Sequence, residues 1–368
     1  MKKNFLSAVV LGSLCGAVQA QTNVSIYGIA DAALRYTNNM GGNSKYEETS
    51  ATPGRIGFRG VEDLGGGMAS VFQLENGFNI DTGSLGQNGR LFGRQAYVGI
   101  RGANLGTILM GRQYDSAVDY LQPVSAGGQT WAGGIGAHFG DTDNVNNSFR
   151  VNNAIKYTSP TINSVTFGGL YGFGETAGNA AKNRVYSLGA RYVEGPWYLA
   201  TAYMNINSPV TAVYDGNANG AFAGGSPYTG LQQADKQEVF GVGGAYQVGA
   251  AKVGLLYTNT KYVNSVLAKG DAKYQNFEVN CQYNLTPALL LGGGYNYTHG
   301  RWTAGNAEPN YNQFNAGVVY SLSKSVALYL RSAYQRASGD ARFAAISFLT
   351  SSSTNSQVTT EAALRYLF

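Results

Sequence analysis

The sequence predicts an all-β protein, a 16-stranded antiparallel β-barrel that spans a membrane. Three observations carry this prediction. Polar and apolar residues alternate with period two, short turns alternate with long polar connections, and beyond an N-terminal export-type segment no stretch is apolar enough and long enough to form a membrane helix.

Residues 1–20 have the three parts of a secretory signal peptide. Two lysines form a basic start, residues 5–18 form an apolar run, and Val-Gln-Ala at residues 18–20 matches a cleavage site. The apolar run is short for a membrane anchor, which needs roughly 20 residues. We therefore expect removal of residues 1–20, with residues 21–368 forming one barrel domain. Cys281 is then the only cysteine, which excludes a disulfide within the mature chain.

Composition favours β structure and argues against a nucleic-acid partner. The chain has 51 Gly, 26 Tyr and 13% charged residues, whereas average proteins have about 7% Gly and about 25% charged residues. The formal net charge is +5, and the basic residues are scattered singly instead of forming a Lys/Arg-rich run. We expect no nucleic-acid binding.

The alternation of polar and apolar residues is clearest over residues 277–285, Phe-Glu-Val-Asn-Cys-Gln-Tyr-Asn-Leu, where every second residue is polar. Such a pattern puts one set of side chains on each face of a strand, but it does not say which face points inward. Chain length decides this, because a closed barrel of many strands of about ten residues is wide enough to hold water. We expect the polar face to line the lumen and the apolar face to meet lipid.

The connections between strands alternate in length, as they do in bacterial outer-membrane barrels with short periplasmic turns and long external loops. The long connections include residues 38–53, 115–148, 206–235 and 338–357. The sixteen candidate strands start near residues 23, 54, 67, 90, 106, 149, 163, 185, 196, 236, 251, 272, 288, 310, 324 and 358. This order predicts a meander with both chain ends on the periplasmic side.

Closure of the barrel is required because hydrocarbon offers no hydrogen bonds to a free sheet edge. The chain ends in an alternating segment, residues 360–368, with Tyr366 and Phe368 on the apolar side. We expect this segment to pair with the first strand and to place both rings in an interfacial aromatic girdle.

Several segments resemble the general diffusion porins of Gram-negative bacteria, especially the betaproteobacterial type. They are Val24–Gly28, Arg55–Gly60 followed by Glu62–Gly65, Phe72–Glu75, Leu91–Gly99 and Gly111–Tyr114. The resemblance is dense over residues 21–160 and thinner later. It implies a homotrimer of barrels, each with its own pore narrowed by an inward-folded third loop. It also implies that Phe368 is an assembly signal read by the barrel-assembly machinery.

A porin performs no chemistry, so its functional residues are the charges of the pore wall. Alternation places Arg55, Arg59, Arg94 and Arg150 on the lumenal side of their strands. The resemblance implies a basic wall at the constriction formed by Arg55, Arg94 and Arg150, with Arg35 and Arg59 as neighbours. The alternative is that each arginine is a solvated lumenal side chain without a special role.

Acidic residues of the third loop face such a wall in the related porins, which creates a transverse field. The candidates are Asp115, Asp119, Asp141 and Asp143, each of which could equally be an exposed loop charge. Enteric porins carry a glutamate in this loop, whereas the nearest segment here, residues 123–128, is Pro-Val-Ser-Ala-Gly-Gly. We therefore expect a weak preference for anions. Glu75, on the lumenal side of its strand, is expected to act at the constriction or to brace the arginines.

Signals for catalysis, metal binding or a cofactor are poor. The chain has two histidines, His138 and His299, both in predicted external loops, and it lacks metal-ligand spacing. We expect no enzyme activity, metal or cofactor. The sequence thus predicts an outer-membrane channel for ions and small hydrophilic solutes, surrounded by outer-membrane lipid. The alternatives are a substrate-specific channel and a non-conducting adhesin or receptor built on the long loops.

Overall fold

A computed structural model describes residues 23–220 and 228–368. The predicted signal peptide, residues 1–20, lies outside the described residues, as does part of the predicted loop 206–235. The strands of this part of the chain form one sheet. They are β1 (Asn23–Met40), β2 (Asn43–Thr49), β3 (Gly54–Gly65), β4 (Met68–Phe78), β5 (Gln95–Gly102), β6 (Gly106–Gln113), β7 (Val151–Thr158), β8 (Val165–Gly172), β9 (Val185–Glu194), β10 (Trp197–Asn207), β11 (Lys236–Val248), β12 (Ala251–Ser265), β13 (Gly270–Asn284), β14 (Leu289–Trp302), β15 (Pro309–Ser321), β16 (Val326–Gly339) and β17 (Ser356–Leu367).

The barrel wall has sixteen strands, because β2 and β3 are two parts of one barrel strand. β3 pairs with the first half of β1, residues 23–29, and β2 pairs with its second half, residues 33–40. Residues 50–53, which include Pro53, interrupt the strand between them. The predicted sixteen-stranded antiparallel barrel is confirmed.

The prediction of a long loop over residues 38–53 is wrong, because β2 occupies residues 43–49. The turn before β2 is tight: Gly41 and Gly42 both have positive φ, which two-residue hairpin turns require and glycine adopts without strain.

The barrel closes between its first and last strands. β1 and β17 pair antiparallel from Ile29 opposite Leu367 to Thr37 opposite Thr359. At the periplasmic end the backbone N–H of Gly28 donates to the carbonyl of Phe368 at 2.7 Å, and the N–H of Phe368 donates back at 3.2 Å. The terminal segment therefore pairs with the first strand, as the sequence predicted.

Alternating side chains separate the two faces of the barrel wall. In β15, Gln313 is 2% exposed while the next residue, Phe314, is 54% exposed. In β11, Gln237 is fully buried and Phe240 is exposed. The buried polar face is the inside of the closed sheet and the exposed apolar face is its outside, which is the arrangement that a lipid surrounding and a polar lumen favour.

The turns lie largely where the sequence predicted them, and glycines with positive φ form several of them, such as Gly195 between β9 and β10 and Gly249 between β11 and β12. One boundary differs by five residues, since β5 begins at Gln95 and not near residue 90. The reason is local: the side-chain amide of Asn76 donates to the carbonyl of Leu91. That carbonyl is therefore satisfied outside the strand ladder.

In residues 23–220 and 228–368, helical structure is limited to single turns. They cover Gly86–Gly89, Ala117–Leu121, Gly133–Gly136, Phe139–Asp141, Pro209–Ala212 and Ala304–Asn306. Among the described residues, no helix has the length and apolar character needed to cross a membrane.

Candidate pore constriction

Residues 114–150, which we call loop 3, run from the end of β6 to the start of β7 and are mostly buried. Inward side chains of distant strands hold the loop through its backbone. Gln237 of β11 donates to the carbonyl of Thr142 at 2.8 Å, and Asn296 of β14 donates to that of Gly136 at 3.1 Å. Gln313 of β15 donates to the carbonyl of Ile135 at 2.9 Å. Because these side chains belong to the inner face, loop 3 lies inside the barrel.

Aromatic packing fixes loop 3 against the same wall. The ring of Phe139 stacks on Tyr311 of β15 with centroids 3.9 Å apart. Trp131 lies over Gly292 and Gly317, where a Cβ atom would approach Trp131 atoms to 2.0 Å and 1.9 Å. Only glycine at these two inward positions lets the loop approach the sheet so closely.

A buried ionic group joins loop 3 to β12 and β13. Nδ1 of His138 lies 2.6 Å from Asp143, and Nε2 lies 2.8 Å from Glu278. Burial alone would lower the pKa of His138, but these two carboxylates raise it to about 10. The imidazole is therefore charged at neutral pH. Asp143 also accepts a hydrogen bond from the hydroxyl of Thr258 at 2.5 Å.

Residues 340–355, which we call loop 8, also fold inward. The Ser347 hydroxyl donates to the carbonyl of His138 at 2.7 Å, and the backbone N–H of Ala345 donates to Gln335 of β16 at 2.6 Å. Phe348 has a φ of 66° and remains 42% exposed. Positive φ is an outlier for a bulky residue, so the surrounding loop must hold this ring in place.

The space left beside these loops is a cavity of about 570 Å³. Five arginines line it, Arg35, Arg55, Arg94, Arg150 and Arg365, together with neutral residues of loops 3 and 8. Among the described residues of its lining, none is an aspartate or a glutamate. The arrangement provides a polar passage with a strongly positive wall.

Arg94 and Arg150 are buried and have different surroundings. Nε of Arg94 donates to Glu75 at 2.6 Å, and one Nη donates to the hydroxyl of Tyr114 at 3.1 Å. The guanidinium of Arg150 lies over the ring of Tyr114, 5.7 Å from its centroid. In the part of the chain that the structure describes, the buried Nε atoms of Arg55, Arg150 and Arg365 have no hydrogen-bond partner.

The other two predicted arginines differ in position. Arg35 lines the cavity and pairs with Glu361 at 2.6 Å and with Glu47 at 3.3 Å. Arg59 lies elsewhere: it is exposed, donates to the Ser25 hydroxyl at 3.1 Å and lies 5.1 Å from the ring centroid of Tyr27. The structure thus brings four of the five predicted arginines together.

None of the predicted acidic residues belongs to the cavity lining. Asp115 is fully buried and accepts hydrogen bonds from the Ala117 backbone and from Asn144; burial raises its pKa to about 6. Asp119 pairs with Lys156 at 2.7 Å. Asp141 accepts hydrogen bonds from the backbone of Asn146 and Ser148, and Asp143 pairs with His138 as described.

Sequence reasoning missed two contributors to the cavity, Arg365 and loop 8. Arg365 had a usable signal, since it alternates with the outward residues Leu364 and Tyr366. Loop 8 had none, because its inward fold depends on contacts with distant strands. Within residues 23–220 and 228–368, no group of three or more His, Cys, Asp or Glu residues could hold a metal ion.

Comparisons with known proteins agree with this architecture. The profile of the Gram-negative porin family matches residues 7–340. An outer membrane porin protein of Bordetella pertussis is 31% identical, with an alignment that covers 91% of this chain and 94% of that protein.

Two solved structures share the fold. The anion-selective porin from Comamonas acidovorans has a TM-score of 0.76 and 23% identity, covering 95% of this chain and 100% of that chain. The trimer form of an in-vitro folded outer membrane protein of Vibrio cholerae has a TM-score of 0.67 and 16% identity, covering 94% and 99%. The chain belongs to the Gram-negative porin family and is an outer-membrane channel protein.

Proposed function

We propose that this porin is a passive channel with a preference for small anions. The observation that carries the proposal is the cavity lined by five arginines without a carboxylate among its described residues. In a narrow polar passage with low-dielectric walls, fixed charges of one sign raise the local concentration of the opposite ion. Anions are therefore favoured over cations of the same size.

The residues take different parts in this proposal. Arg55 and Arg150 line the cavity and form no ion pair with a carboxylate among the described residues, so their charges act on a passing anion. Arg94 completes the wall, and Glu75 orients it through the 2.6 Å contact. Arg35 extends the wall, whereas Arg59 acts outside the cavity. Asp119 neutralises Lys156, and the contacts of Asp115 support a role in shaping loop 3.

The assembly of the channel also belongs to the proposal. Residues 1–20 would act as the export signal, and the barrel would associate as a homotrimer in outer-membrane lipid. The trimer form of the Vibrio cholerae neighbour supports this, as does the family membership. Phe368 would be the residue that the barrel-assembly machinery reads, since it ends the closing strand with a half-exposed ring.

The test is single-channel recording of refolded protein in a planar bilayer under a salt gradient. We expect conductance steps in groups of three and a reversal potential that favours anions. Stable insertion without conductance would contradict the channel and favour an adhesin or receptor. Flux that saturates with one solute would indicate a substrate-specific channel instead of a general one.

A further inference from the structure

Three basic side chains lie side by side on the outer face of the barrel. In the register of the sheet, Lys261 of β12 is directly opposite Lys273 of β13, and Lys273 is directly opposite Arg301 of β14. All three are outward, because the neighbouring positions Tyr262, Ala272 and Tyr274 are buried in the lumen, and Lys273 and Arg301 are exposed. Like charges directly opposite each other destabilise a strand pair unless a counter-charge is present.

Protein carboxylates neutralise only part of this row. Lys261 pairs with Asp271 at 2.8 Å and is directly opposite Glu238 of β11, which itself pairs with Lys236 at 3.6 Å. Within the described residues, no carboxylate forms an ion pair with Lys273 or Arg301. The surplus of positive charge therefore lies at the Lys273 and Arg301 end of the row, on the outer surface of the barrel.

The level of the row corresponds to the lipid headgroups. Each of its residues lies four positions beyond an outward aromatic ring, Tyr257, Phe277 or Tyr297, in the direction of the external loops. Four residues of strand span about 13 Å, or about 10 Å along the membrane normal after strand tilt. Aromatic rings mark the edge of the hydrocarbon layer, so the cations lie among headgroups.

An apolar groove of about 700 Å³ lies toward the membrane centre, on β10, β11 and β12 and on adjoining residues of β13 and β14. It runs from the Trp197–Tyr246 ring pair at the periplasmic side to Tyr257 and Phe277 at the external side. Gly244 leaves its floor without a side chain, between the flanking residues Leu199 and Leu255. Its exposed lining is almost entirely apolar, which suits a hydrocarbon chain.

We propose that this surface binds a phosphate-bearing lipid of the outer leaflet. Its phosphate would contact Lys261, Lys273 and Arg301, and one acyl chain would lie in the groove. Arg301 can bind two phosphate oxygens at once, while the lysines act as point charges. The phosphate supplies the counter-charge that the row lacks, and the lipid fills both the charged and the apolar part of one continuous surface.

The test is a lipid titration of the full refolded porin in detergent micelles, with bound lipid counted by native mass spectrometry. The probe is lipid A carrying two phosphates. We expect the Lys273→Gln/Arg301→Gln variant to bind about tenfold more weakly. Arg336→Gln is the matched control, because Arg336 is an exposed outward cation on β16, away from the groove, and it should bind as the unaltered protein does.

Further variants separate the two halves of the site. Val279→Trp, which fills the groove, should also weaken binding, whereas Lys273→Arg should retain it. Equal weakening by Arg336→Gln would overturn the proposal, because it would indicate general attraction to a basic surface. Full binding by Val279→Trp, or displacement of the lipid by inorganic phosphate at equal concentration, would overturn it as well. Channel conductance should stay unchanged in these variants, so the outcome is independent of the proposed ion selectivity.

Discussion

The carboxylate of Glu75 lies 2.6 Å from Nε of Arg94, and it also accepts the hydroxyl of Tyr27 at 2.8 Å. This pair joins β4 to the segment before β5 and turns one edge of the guanidinium toward Tyr114, beside the cavity. The carboxylate is buried and its negative charge is paired with Arg94. It therefore does not act as a site that attracts cations in the passage. This geometry supports the proposal that Glu75 braces the basic wall.

Replacing Glu75 by Gln should increase the preference for anions. The change leaves Arg94 without its counter-charge, and the free energy of unfolding should fall by about 1–3 kcal/mol, since a buried hydrogen-bonded charge loses its partner. Reversal potentials in a salt gradient and urea unfolding measure the two effects. Glu62→Gln, at an exposed strand end, is the control and should change neither. A shift of Glu75→Gln toward cations would contradict the bracing role.

The ionic group around His138 should make the stability of loop 3 depend on pH. The folded chain raises the pKa of His138 from an ordinary value near 6.5 to about 10. The stabilisation is therefore complete below about pH 6.5 and is lost as the pH rises through about 10. Burial opposes ionisation of Asp143, yet charged His138 holds its pKa below the usual range, so this contribution is present above about pH 4 and is lost in stronger acid.

We expect His138→Gln to lower the melting temperature at pH 6 and to differ less from the unaltered protein at pH 10. Thermal unfolding across this range measures the difference. His299→Gln is the matched control for removal of a histidine, because His299 contacts Asn310 instead of a carboxylate. A His138→Gln effect that is constant from pH 6 to pH 10 would show that the imidazole is neutral.

The ring of Phe368 should contribute to closure of the barrel independently of any assembly factor. A Cβ atom at Gly28 would lie 2.3 Å from Cζ of Phe368, so the ring packs directly on the glycine backbone. Both Phe368→Ala and Gly28→Ala should reduce the yield of spontaneous refolding into lipid vesicles, with a loss of about 1–2 kcal/mol for the half-exposed ring. Tyr366→Ala is the comparison, and a larger defect in it than in Phe368→Ala would contradict this packing.

Phe348 should limit the width of the passage. Its side chain lines the cavity and is partly exposed there. Phe348→Ala should raise single-channel conductance, since the ring leaves and the remaining positive φ costs no more in Ala than in Phe. Phe343→Ala, in the same loop but outside the lining, should leave conductance unchanged. Equal conductance of the two variants would place the limiting width elsewhere.

The strands and their inner and outer faces could be predicted because they depend on local alternation. Alternation predicted that Phe277 points outward and Glu278 inward, and such a local pattern is enough to orient each strand in the barrel. The closing partnership of the last strand also followed, since an unpaired edge is not tolerated in lipid.

The interior of the barrel could not be predicted in the same way. The sequence predicted His138 to be an external loop histidine. It is instead buried and contacts Glu278 of β13, which lies 140 positions later in the chain. The position of Trp131 similarly depends on Gly292 and Gly317. These glycines are recognised as a binding surface for its ring only when the register of β14 and β15 is known. These contacts join residues far apart in sequence, so period-two alternation does not predict them.

If the arginine-lined cavity sets the ion preference, removal of its arginines must change the reversal potential of the channel in a salt gradient. Arg55→Gln/Arg150→Gln removes two charges that have no carboxylate partner among the described residues, and Arg59→Gln is the control outside the cavity. We expect the unaltered channel to favour anions, the double variant to shift toward cations and Arg59→Gln to shift little. A cation-favouring unaltered channel, or the same reversal potential in all three proteins, would contradict it.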